Sequence, residues 1–125
     1  MLFQSSTILA LSSLALTTSA RHLEQRQSSC PGVHIFGARE TTVSPGYGTA
    51  GVVVNLVLNS NPGSTAEAIV YPACGGQASC GGASYAQSAV AGTAAVASAV
   101  NAFNARCPNS KLVLVGYSQV RNHAK

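Results

Sequence analysis

The stretch Lys111-Leu112-Val113-Leu114-Val115 is apolar at almost every position and runs without a break into Gly116-Tyr117-Ser118-Gln119. A nearly continuous apolar strand is typical of a parallel sheet covered by helices, so this run points to a layered α/β architecture. The upstream segments agree. Val33-His34-Ile35-Phe36-Gly37 is a second short apolar run, bounded by Gly32 and the polar Arg39-Glu40-Thr41-Thr42, and Glu67-Ala68-Ile69-Val70-Tyr71 is a third, ended by Pro72. Helical patterns lie between them. Ser44-Pro45 offers a helix start, Val53, Leu56 and Val57 share a face, and Asn61-Pro62-Gly63 stops the helix. Gly81-Gly82 leads into an alanine-rich helix in which Ala89, Thr93, Val96, Val100 and Phe103 recur with a period near 3.6, up to Cys107-Pro108. Strand, helix, strand, helix, strand predicts an open parallel sheet with flanking helices and right-handed crossovers.

A chain of 125 residues makes at most one domain, and 46% hydrophobic against 8% charged residues is a globular rather than a disordered balance. The net charge of +4 reflects scarce acids, with no aspartate anywhere, rather than a basic patch. The seven basic residues are scattered and none sits in a run interleaved with aromatics, which argues against nucleic-acid binding.

Residues 1–20 read as a secretory signal: an apolar stretch from Ile8 to Leu16, then the small residues Thr17-Thr18-Ser19-Ala20. That stretch is shorter than the ~20 residues needed to span a bilayer. Residues 21–26 read as a pro-segment with a basic processing site at Arg26, leaving 27–119 as the domain proper. In an oxidising compartment the four cysteines are expected to form disulfides. Cys74 and Cys80 share one glycine-rich loop, so their ring closes locally and Cys30 with Cys107 remains as a long-range staple. A zinc site would need further ligands at regular spacing, and the histidines lie far from the loop. The glycines at 75–76 and 81–82 lack the following Gly-Lys-Ser/Thr of a phosphate-binding loop.

A buried strand delivering Gly-x-Ser onto a sharp turn is the nucleophile elbow of α/β-hydrolases, where the turn lifts the serine hydroxyl above the sheet. Ser118 occupies that place, although Val120 stands where the full pattern has a second glycine. Three runs extend the pattern: residues 29–42 (SCPGVHIFGARETT), 71–77 (YPACGGQ) and 112–119 (LVLVGYSQ). They resemble fungal acetylxylan esterases of the cutinase/acetylxylan esterase family. The resemblance implies the N-terminal portion of a cutinase-like α/β-hydrolase fold, with Ser118 as catalytic nucleophile and the backbone N–H groups of Thr41 and Gln119 as oxyanion hole. It also implies the disulfides Cys30–Cys107 and Cys74–Cys80, in agreement with the loop lengths. Arg39 and Glu40 are read as a brace for the Thr41 turn, and His34 as a sheet histidine rather than a base.

The resemblance further implies an acid and a histidine beyond the elbow, in the order serine, acid, histidine. Residues 120–125 do not match the family, and His123 lies only five residues past Ser118. Without an activating base the chain is expected to be inactive, with the 120–125 tail read through an unspliced exon end. The expected function is that of a secreted, extracellular serine carboxylic ester hydrolase by family. The substrate would be plant cell-wall polysaccharide, deacetylated through an acyl-enzyme, or alternatively a cutin-like polyester. The chain is expected to be monomeric, with no cofactor, no metal, no nucleic acid and no membrane partner. Two other classes stand beside it: a non-catalytic polysaccharide-binding module and a functionless truncated product. The former would call for an aromatic platform, and the chain offers only Tyr47, Tyr71, Tyr85 and Tyr117, with no tryptophan.

Overall fold

The structure is a computed structural model that describes residues 29–119. The expected signal, the pro-segment and the 120–125 tail lie outside the described residues. Among the described residues the chain forms β1 (Val33–Ala38), α1 (Gly51–Ser60), β2 (Thr65–Ala68), α2 (Tyr85–Arg106) and β3 (Lys111–Gly116), all within the unit that begins at Pro31. Short 3-10 turns at Gly48–Ala50 and Ala78–Cys80 precede the two helices.

The three strands form a parallel sheet in the order β2-β1-β3. The central position of β1 explains its burial, which is complete from His34 to Ala38. Ile35, Phe36 and Val54 have almost no exposed surface, and burying each such side chain contributes about 1.5–3 kcal/mol. At the far side Phe103 of α2 closes the core and stacks on the His34 ring. His34 itself is buried, with Nδ1 2.6 Å from Thr65 Oγ1. β3 is less covered than its continuous apolarity suggests. It forms one edge of the described sheet, and Leu114 is 55% exposed.

Three local expectations need correction. The first helix begins at Gly51 rather than at Ser44-Pro45. Glu40 holds the intervening chain by accepting bonds from the Thr49 N–H and hydroxyl, which anchors the 3-10 turn. Its inward residue is Val54, whereas Val53 and Leu56 are exposed. With Val-Val-Val-Asn-Leu-Val-Leu in sequence, two helical faces are equally apolar, and contact with β1 selects between them. β2 runs from Thr65 to Ala68 instead of from Glu67 to Tyr71. The ladder continues only through the Ile69 N–H to the Gly37 carbonyl, after which Val70 faces solvent and Tyr71 turns inward. In α2 the buried residues are Ser88, Gly92 and Phe103, so Phe103 lies on the expected face while Thr93 is exposed. Ser88 is buried through its bonds to the Cys74 N–H and to Gln119, so polar pairing as well as apolar bulk decides this face. Ser84 and Gln87 form a reciprocal capping box at its start.

Candidate active site

The site lies where β1 and β3 end. Ala38 is in register with Gly116, so residues 39–42 and 117–119 leave the sheet side by side at its carboxyl edge. The chain steps from β1 to β2 on one side and then returns to β3 on the other, so the strand order reverses between β1 and β3. Open α/β sheets bind ligands in the crevice at such a reversal.

Ser118 stands at this point with φ 61°, in the left-handed region, and is exposed. A non-glycine residue in that conformation is held there by its surroundings, and such strain gathers at functional sites. Gln119 follows with no exposed surface. Its Nε2 donates to the carbonyls of Cys74 (3.3 Å) and Tyr85 (3.2 Å), while Oε1 accepts from the Ser88 hydroxyl (3.2 Å). Both amide protons and the carbonyl oxygen are thus used, which fixes the side chain.

The Thr41 turn rests on the same support. The N–H of Thr42, itself at φ 68°, donates to the Ala73 carbonyl at 2.6 Å, one residue before the Cys74 carbonyl that holds Gln119. Thr41 Oγ1 is shielded from solvent and has no hydrogen-bond partner. Arg39 carries the turn from below. Its Nε donates to the Val43 carbonyl at 2.8 Å and its Nη2 to the Tyr71 carbonyl at 2.7 Å, and the Tyr71 hydroxyl returns a bond to the Arg39 carbonyl at 2.5 Å. The guanidinium also lies 5.3 Å from the centre of the Tyr71 ring, a cation–π contact. Burial pushes the Tyr71 phenol above its usual pKa, so this donor keeps its proton. Glu40 turns away to Thr49, whose hydroxyl holds its carboxyl below the usual range.

Cys74 and Cys80 are joined by a disulfide, and Cys30 and Cys107 are likewise disulfide-bonded. His34 does not reach the site: it pairs with Leu112, at the opposite end of β3 from Ser118. Among the described residues no three His, Cys or acidic side chains gather where a metal could be held. Ser88 and the Tyr71 hydroxyl were absent from the sequence reading. Ser88 had one signal, a small polar residue four positions after Ser84 in a helix otherwise rich in alanine.

The sequence profile of the cutinase family matches residues 29–122. The chain belongs to the cutinase family. It is 69% identical to cutinase 11 of Verticillium dahliae over 111 residues, 89% of this chain and 37% of that protein. It is 63% identical to acetylxylan esterase 2 of Talaromyces purpureogenus over 116 residues, 91% of this chain and 50% of that one. Among solved structures, the catalytic core domain of acetyl xylan esterase from Trichoderma reesei superposes with a TM-score of 0.71 at 68% identity, covering 72% of this chain and 44% of its own. The chain thus spans half or less of these relatives. Its three-stranded parallel sheet with helices is part of the same α/β-hydrolase fold.

Proposed function

We propose that this chain supplies the nucleophile and oxyanion-binding turn of a secreted serine esterase that removes acetyl groups from xylan. The observation that carries the reading is Ser118, exposed in a left-handed conformation directly after β3. In the proposed reaction Ser118 Oγ attacks the ester carbonyl carbon, and the N–H groups of Thr41 and Gln119 receive the developing oxyanion. Collapse of the tetrahedral intermediate expels the sugar hydroxyl and leaves an acetyl-enzyme, which water hydrolyses to acetate and free serine. The serine proton needs a base. Among the described residues Glu40 is bonded to Thr49, and His34 and Glu67 face each other. In this reading the base and its orienting acid come from outside residues 29–119, which by themselves supply no activated nucleophile. The names of two relatives favour acetylxylan, and the 69% identity to a cutinase makes a lipid polyester the alternative substrate. Disulfide-bonded cysteines fit secretion into an oxidising compartment.

The test is a chimera in which residues 29–119 replace the matching segment of the Trichoderma reesei catalytic core. It should release acetate from acetylated xylan faster than it releases monomers from cutin, and Ser118→Ala should reduce both to background. Turnover that survives Ser118→Ala would refute the nucleophile assignment. The 125-residue chain alone should hydrolyse p-nitrophenyl acetate no faster than its own Ser118→Ala variant.

A further inference from the structure

Among the described residues the buried polar side chains are His34, Arg39, Ser88 and Gln119, and the last two, with no exposed surface, bond each other. Ser88 lies one turn into α2, far from the elbow in sequence. Its Oγ accepts from the Cys74 N–H at 2.9 Å and lies 3.2 Å from Gln119 Oε1. A hydroxyl has a single proton. The Cys74 amide brings its own, so the Ser88 proton goes to Gln119. This sets the sense of the whole cluster: Oε1 must face Ser88, and Nε2 must face the Cys74 and Tyr85 carbonyls.

A serine needed only to satisfy the Cys74 N–H would have no use for that second bond. Gln119 is one residue past Ser118, and its side chain and its backbone N–H share one Cα. With the side chain clamped at three points, the Gln119 Cα that carries the backbone N–H is held in place at the end of the elbow, by bonds that have no solvent to replace them. We propose that Ser88 is a positioning residue that aims the Gln119 backbone N–H at the oxyanion. This rests on the reading of Ser118 as nucleophile. It assigns to α2 a part in the reaction through a side chain that touches neither substrate nor serine.

The first arm of the test uses the 125-residue chain and is independent of its activity. In Ser88→Ala, hydrogen exchange at the Gln119 side-chain amide should accelerate at least tenfold while the β1 amides of Ile35 and Phe36 stay protected. Faster exchange at Cys74 alone, with Gln119 unchanged, overturns the proposal, and so does loss of β1 protection, which would mark Ser88 as a folding residue. The second arm uses the chimera described above. Ser88→Ala should lower kcat ten- to a hundredfold with KM unchanged, less than the roughly 10²–10³-fold cost of removing an oxyanion donor outright. Gln119→Met, which keeps the Ser88–Cys74 bond, should give the same loss, and combining the two should add nothing. Wild-type kcat in Gln119→Met overturns the proposal even if Ser88→Ala fails to fold. Failure of the nucleophile reading would appear separately, as activity that persists in Ser118→Ala.

Discussion

The imidazole of His34 lies flat on the ring of Phe103, with centroids 3.8 Å apart and planes within 9°. Nε2 is 3.3 Å from the Glu67 carboxylate, close enough for charge attraction but not aligned as a hydrogen bond. Burial is the largest influence on the ring and lowers its pKa from 6.5, Glu67 opposes this, and Arg106 adds to it. The fold therefore favours neutral imidazole, and the unfolded chain binds this proton more readily.

Stability from this group is complete above about pH 6.5 and declines as pH falls below it. Urea denaturation should give a lower midpoint near pH 5.5 than near pH 7.5. In His34→Phe that difference should shrink, and an undiminished difference would show that another group is responsible. Glu40, whose pKa is lowered from 4.5, adds a separate loss at more acid pH.

Ser118 at φ 61° carries a conformational cost that glycine would not. Ser118→Gly should raise stability by about 1 kcal/mol, at the low end of the strain expected for a left-handed non-glycine residue. Ser118→Ala keeps the Cβ and should leave stability nearly unchanged. Thermal melts of both variants provide the check, and equal melting points for the glycine and alanine variants would remove strain from the account.

Gly37 lies in the centre of the sheet, and a Cβ there would run into the Tyr47 ring and the Val54 side chain. Gly37→Ala should cost about 1–3 kcal/mol through overpacking. Adding Tyr47→Ala should recover part of the loss in chemical denaturation. Purely additive losses in the pair would mean that the ring is not what excludes the methyl group.

Arg39 is 6% exposed and spends its donors on carbonyls at Val43 and Tyr71. Lysine keeps the charge but cannot span both with a planar fork. Arg39→Lys should destabilise by about 1–3 kcal/mol, the cost of leaving buried acceptors unpaired. Exchange at the Thr42 amide, which bonds Ala73, should accelerate more than exchange in α2.

The strand–helix alternation and the elbow were legible because they rest on local patterns: a buried apolar run, a glycine and a serine in fixed order. The inward face of α1 was not, since Val53 and Val54 are the same residue type and only contact with β1 distinguishes them. β2 starts two residues and ends three residues earlier than its apolar run implies, because Val70 and Tyr71 favour strands intrinsically, while Arg39 draws Tyr71 out of the ladder. Ser88 escaped notice because its importance comes from two partners distant in sequence, Cys74 and Gln119.

The in-register pairing of Ala38 with Gly116 makes the spacing between the two turns a discrete quantity. Deleting one residue within either strand would slide its turn by about 3.3 Å and rotate every following side chain to the opposite face of the sheet. No smaller adjustment exists. Descendants of this sequence can therefore tolerate insertions where the backbone loops outward, as between Ser44 and Gly46, but not between Val33 and Ala38 or between Lys111 and Gly116. Over those two stretches length itself, independent of which residues fill it, is what selection must preserve.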